Sequence, residues 1–251
     1  MRYRVDIGGA RPGALERLID LGALDVEAGP GDRIAALMPE GVTPAQVEAA
    51  LGTGDLAVSR AVGRDADSVW VLSPRPLRVA GHTLHLLDAD AFGTGQHPTT
   101  ALCLDALQDA VAARPERVLD VGTGSGVLAL AALLLDVPHA TGTDIEPEAL
   151  RVAAANARLN GVHERLQLTR GGPEAVTGTW PLVLANVLAG PLIEMAPALV
   201  RRVGHHGRLV LSGMPESVET DVSQAYRRLG MHRVDVLSRG GWVAIVLQAS
   251  W

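Results

Sequence analysis

The chain has 251 residues, of which 47% are hydrophobic and 3% aromatic, so a sizeable core must be filled by Leu, Val and Ala. A net charge of −6 argues against a nucleic-acid backbone as the main partner and suits a basic protein. The single Cys, Cys103, excludes an internal disulfide, and no apolar stretch approaches the roughly 20 residues a membrane span needs, so a cytoplasmic protein is expected.

From the N-terminus, Met1 to Gly9 lacks the apolar core of a leader. Strand Tyr3 to Ile7, helix Pro12 to Leu21, and strands Leu24 to Glu27 and Asp32 to Met38 follow. Helix Thr43 to Leu51 and strand Leu56 to Ala61 complete the set. The breaker-rich turns Gly29-Pro30-Gly31 and Pro39-Glu40-Gly41 fall between them, and Thr43-Pro44 supplies an N-cap with proline at the first helical position. The βαββαβ order reads as a small α+β, ferredoxin-like unit over residues 1–62. It holds no cluster of His, Cys or carboxylates, which suits recognition or packing better than chemistry. Residues 63–90 form a connector containing Trp70, Pro74 and Pro76, with an alternating run from His82 to Leu87.

From residue 91 to 251 the period changes. Helix Thr99–Ala113 precedes strand Val118–Val121, helix Gly126–Leu135 and strand His139–Thr143. Helix Pro147–Asn160 is closed by Gly161. Strands Arg165–Thr169 and Pro181–Ala185, helix Gly190–Val203, strand Arg208–Leu211 and helix Ser217–Leu229 come next. Strands His232–Leu237 and Trp242–Leu247 are joined by a hairpin at Gly240-Gly241. Alternation of strand and helix implies an α/β fold with a parallel sheet, here of seven strands, and the final hairpin adds an antiparallel strand.

The chemistry-bearing segment is Asp120-Val121-Gly122-Thr123-Gly124-Ser125-Gly126, a strand end, a glycine turn and a helix start in seven residues. A dinucleotide turn needs glycines at its first, third and sixth positions. Here they occupy the first, third and fifth, which resembles the S-adenosylmethionine loop of Rossmann-like class I methyltransferases. Asp144 ends the next strand, where an acid can accept hydrogen bonds from vicinal ribose hydroxyls, or cap the following helix. Asp120, inside its strand, either fixes the glycine turn through backbone amides or meets the methionine amine. Gly171-Gly172 would let adenine approach the backbone, or form a simple turn. Asn186 closes the fourth strand. Its carboxamide can accept an amine N–H and aim the nitrogen lone pair at a methyl carbon, which makes it the catalytic candidate. The Asn-Pro-Pro-Tyr of enzymes that methylate DNA bases or glutamine is missing beyond the Asn. His97 can take a proton near neutral pH or act as a loop hydrogen-bonding residue. No metal site is expected.

Together, Ala-Phe-Gly-Thr-Gly-Gln-His-Pro-Thr-Thr (91–100), Leu-Asp-Val-Gly-Thr-Gly-Ser-Gly-Val-Leu (119–128), Asp144 and Ala-Asn-Val-Leu-Ala-Gly-Pro-Leu (185–192) resemble the PrmA family, which methylates ribosomal protein L11. The resemblance is close over residues 90–213. It implies that Thr100, Gly122, Asp144 and Asn186 touch S-adenosylmethionine, with Phe92, Gly93 and Thr94 in the loop over it. Asp120, Gly124 and Gly172 complete the cofactor set on the residue-level reading. It also implies N-methylation of lysine side chains and the α-amine of L11, presented by the N-terminal unit, with no direct nucleic-acid or membrane partner. A methyltransferase of the same fold acting on another protein lysine or a small amine, and a non-catalytic cofactor-binding module, remain alternatives.

Overall fold

A computed structural model describes residues 3–8, 13–29, 33–52, 56–60, 76–87 and 97–251. The chain divides into two units, Met1–Leu72 and Ser73–Trp251. The first contains β1 (Tyr3–Ile7), α1 (Ala14–Asp20), β2 (Asp25–Gly29), β3 (Arg33–Met38), α2 (Pro44–Leu51) and β4 (Leu56–Arg60). The strands form an antiparallel sheet in the order β2-β3-β1-β4, the split arrangement that the βαββαβ sequence order implies. Alternate residues of β1, Val5 and Ile7, are buried, as are Leu15 and Leu18 of α1 and Val47 and Leu51 of α2. Thr43 starts α2 through a capping box with Gln46.

The second unit opens with a hairpin of β5 (Leu77–Val79) and β6 (His82–Leu84). Then follow α3 (Pro98–Val111), β7 (Arg117–Val121), α4 (Val127–Leu134), β8 (His139–Asp144), α5 (Pro147–Leu159), β9 (Leu166–Arg170) and β10 (Trp180–Asn186). The rest is α6 (Ala189–Glu194), α7 (Ala196–Val200), β11 (Val203–Pro215), α8 (Glu219–Arg227), β12 (Met231–Arg239) and β13 (Trp242–Ala249). The seven strands lie in the order β12-β13-β11-β10-β7-β8-β9. All pairings from β11 to β9 are parallel, and β13 runs antiparallel between β11 and β12. One face is covered by α3, α4 and α5, the other by α6, α7 and α8. Helix α4 is apolar all round because seven of its eight residues are buried.

Two expected elements differ. The single helix over 190–203 is broken at Met195 into α6 and α7, and Pro197, which has no N–H to give, sits at the start of the second piece. The strand expected at 208–211 begins at Val203, because Val203 pairs with Trp180 ahead of an irregularity in the ladder. Among the described residues no helix is long and apolar enough to cross a membrane.

Candidate active site

In an open parallel sheet, ligands bind beyond the carboxyl ends of the strands where the strand order reverses. Here the reversal lies between β7 and β10, and these strands end at the glycine turn and at Asn186. The turn is held by its backbone. Gly122 and Thr123 donate their N–H groups to the Thr143 carbonyl at 2.8 and 2.9 Å, and Gly126 donates to the Thr123 carbonyl at 2.8 Å. Gly124 donates to Asp144 Oδ2 at 2.9 Å. Gly122 has φ +71°, and a Cβ on it would stand 2.5 Å from Val187 Cγ1. Glycine is therefore required there on both counts.

Asp120 lies beneath the turn and is buried. Its Oδ2 accepts from the Thr123 hydroxyl at 2.7 Å and from Ala129 N–H at 3.2 Å. Ala129 is the third residue of α4, so the carboxylate supplies the cap that Gly126 cannot. Of the two roles the sequence allows, the structure shows the one that fixes the turn. Oδ1 is buried with no hydrogen-bond partner among the described residues. Burial pushes the Asp120 carboxyl up to about 6, against the opposing hydrogen bonds from Thr123 and Ala129. Below about pH 4 both folded and unfolded chains hold this proton. Between there and about 6 the unfolded chain ionises first, so a stability cost of about 3 kcal/mol builds up and persists at higher pH. Asp120→Asn should abolish this slope, and urea unfolding of both proteins at pH 4.5 and 7.5 checks it. An identical pH dependence in the two would remove the raised carboxyl.

Asn186 ends β10, with Ala185 paired to Val121 of β7. Its Nδ2 lies 3.4 Å from Thr100 Oγ1, and its Oδ1 is buried without a partner among the described residues. Thr100, Gly122, Thr123, Gly124, Val127, Leu128 and Asn186 line one cleft. Val187, just beyond, is gripped by the backbone. Its N–H donates to the Ser212 carbonyl at 3.1 Å, and its peptide packs on Gly213 so tightly that a Cβ there would lie 2.3 Å from Val187 O.

Asp144 sits at the rim, half-buried. Oδ1 accepts from Glu146 N–H at 3.0 Å and Oδ2 from Gly124 N–H, so each oxygen keeps one acceptor site for a hydroxyl donor. Gly172 does not line the cleft. Its N–H donates to Glu174 Oε1 at 3.0 Å, and that carboxylate occupies the space beside its α-carbon. His97 caps α3, its Nδ1 accepting from Thr99 N–H at 3.2 Å, and its ring meets Trp242 edge-on at 4.9 Å. Phe92, Gly93 and Thr94 lie outside the described residues.

Thus Thr100, Gly122, Gly124 and Asn186 come together, Asp144 joins them through Gly124, and Asp120 supports the turn from below. Sequence reasoning missed Thr123, Val187 and Gly213. The Ser-Gly pair closing the apolar run 208–211 was the available signal for Gly213. No group of three or more His, Cys, Asp or Glu able to hold a metal occurs among the described residues.

Six strands that run in one direction, a seventh, antiparallel strand inserted next to one edge, and a cleft at the glycine turn define a Rossmann-like class I methyltransferase fold. A model of the family described as ribosomal protein L11 methyltransferase (PrmA) matches residues 82–250. The ribosomal protein L11 methyltransferase of Methylococcus capsulatus is 35% identical, over 92% of this chain and 92% of that protein. That of Chromohalobacter salexigens is 46% identical over 72% of this chain but 59% of its own length. For the Geobacter sulfurreducens relative the match spans 51% of its length. The crystal structure of ribosomal protein L11 methylase from Lactobacillus delbrueckii subsp. bulgaricus superposes with a TM-score of 0.64 at 29% identity, covering 70% of this chain and 90% of that one. The chain belongs to the ribosomal protein L11 methyltransferase (PrmA) family.

Proposed function

We propose that this protein is a cytoplasmic, S-adenosylmethionine-dependent N-methyltransferase of ribosomal protein L11, acting on lysine side chains and the N-terminal α-amine. The observation that carries the reading is the convergence of Gly122, Asn186 and Asp144 at the strand reversal, within a chain of this family. The residues fit the cofactor. Asp144 keeps an acceptor site on each oxygen for ribose hydroxyls, and Gly122 at the start of the turn has no room for a Cβ. Asn186 Oδ1 is a buried acceptor facing no donor among the described residues. When bound, S-adenosylmethionine supplies an electrophilic methyl group on a sulfonium.

The protein's own contribution is positioning, worth up to roughly 7–11 kcal/mol in favourable cases. Asn186 Oδ1 accepts one N–H of the incoming amine and orients its lone pair, while Thr100 Oγ1 beside Nδ2 fixes the carboxamide. The amine must arrive neutral, and lysine starts near a pKa of about 10.4, so removal from water in the cleft favours the reactive form. Thr100, Gly122, Gly124, Asp144 and Asn186, with Phe92, Gly93 and Thr94, are assigned to contact with the cofactor, and Asp120 to holding the turn beneath it. The first unit, Met1–Leu72, is assigned to recruiting the protein substrate.

Incubation with labelled S-adenosylmethionine and purified L11, followed by mapping of the modified residues, tests the reading. Label on L11 amines supports it. Label that appears only on other components of a lysate would assign a different acceptor. Asp144→Ala should weaken cofactor binding by about 2–3 kcal/mol, since the charged acceptor for two hydroxyl donors is lost. Unchanged affinity by calorimetry would remove Asp144 from the ribose site.

A further inference from the structure

The run His82–Leu87 alternates in character, yet β6 stops at Leu84. Leu84 is fully buried and Leu86 packs on the same core, so the alternation continues past the strand. The backbone of residues 85–87 instead pairs with side chains of α5. His85 N–H donates to Asn160 Oδ1 at 2.9 Å, and the His85 carbonyl accepts from Asn160 Nδ2 at 2.6 Å. This reciprocal pair copies the two bonds of an antiparallel bridge. Leu87 N–H donates to Asn156 Oδ1 at 2.7 Å.

The spacing explains the fit. Four helical residues rise about 6 Å, and two extended residues rise about 6.6 Å. Asparagines at i and i+4 of a helix therefore match amides at i and i+2 of an extended segment. Asn156 is fully buried, and its Nδ2 donates to the Ser125 carbonyl of the glycine turn at 2.9 Å. One rigid, planar carboxamide thus holds the turn with one end and the 85–87 segment with the other.

We propose that Asn156 is a positioning residue that couples ligand binding at the Gly122–Gly126 turn to the docking of residues 85–87, with Asn160 as the second clamp. The inference rests on the reading that S-adenosylmethionine binds at this turn. A ligand that restrains the turn restrains the Ser125 peptide, and Asn156 passes that restraint to the Leu87 N–H. The coupling is reciprocal, so a loosened segment must weaken the ligand. A residue that only filled space would couple nothing.

The test is amide hydrogen exchange at His85 and Leu87 in the full chain, with and without S-adenosylhomocysteine, beside calorimetric affinity. In the unmodified protein, saturation should slow exchange at both amides about tenfold. In Asn156→Ala neither amide should respond, and affinity should fall about tenfold. Asn160→Ala, at a half-buried position, should lose the response at His85 and keep it at Leu87, and it decides the matter if Asn156→Ala does not fold. Tight binding with unchanged exchange in the unmodified protein overturns the coupling. So does Asn160→Ala with both responses intact. No binding by the unmodified protein overturns the cofactor reading itself and the coupling with it, and calorimetry reads that outcome separately.

Discussion

Asn186→Ala is expected to slow methyl transfer about a hundredfold while changing cofactor affinity by less than about tenfold. The asymmetry follows from where the carboxamide stands. Its Nδ2 is engaged with Thr100 at a long 3.4 Å, whereas its Oδ1 is buried with no donor among the described residues. An acceptor left unmatched in the resting protein gains most when an N–H arrives. That N–H belongs to the acceptor amine at the moment of transfer, so losing Oδ1 misorients the nucleophile more than it loosens the cofactor. Single-turnover rates with saturating cofactor, set against calorimetric affinity, separate the two quantities. If both fall in step, Asn186 is a cofactor ligand with no separate role toward the amine.

The cleft was readable in the sequence where its determinants are local. The glycines at 122, 124 and 126 announce a turn because a residue without a Cβ takes positive φ without strain, here 71°, 54° and 84°. Asn186 ends a visibly apolar run, Leu182 to Ala185, and Asp144 stands just before the helix start at Pro147, so their place at the sheet's carboxyl edge follows from counting strands and helices. The hairpin at Gly240-Gly241 was legible for the same reason.

What was not legible depends on partners far away in the chain. Strand β11 reaches back to Val203 because Trp180 pairs with it, and no local pattern encodes that pairing. Asn156 and Asn160 read as ordinary polar helix positions until residues 85–87 are laid against them. Gly172 looked suited to a close ligand approach, yet Glu174, two residues on, takes its N–H. A short side-chain-to-backbone bond of this kind competes with any outside partner, and composition alone does not reveal it. His97 is a related case, since its Nδ1 is used in capping α3.

The contact between Gly213 and Val187 leads to the expectation of largest structural effect. Gly213 has φ +93°, and a Cβ there would fall 2.3 Å from Val187 O, 2.6 Å from its carbonyl carbon and 2.8 Å from its N. These atoms are backbone, and Val187 N–H is tied to Ser212 O, so no side-chain rotation relieves the overlap. Gly213→Ala should therefore destabilise the protein by about 3 kcal/mol or more, combining left-handed strain with a backbone displacement. Gly240 provides the comparison. It also has positive φ, +59°, but a Cβ there meets nothing within 4 Å. Gly240→Ala should cost only about 1 kcal/mol, the conformational part alone. Urea unfolding of both variants measures the difference. Because Val187 directly follows Asn186, the surviving folded fraction of Gly213→Ala should also transfer methyl groups more slowly than Gly240→Ala at equal folded concentration. Equal stability losses in the two variants would show that the peptide at Val187 can yield, and that Gly213 does not hold Asn186 in place.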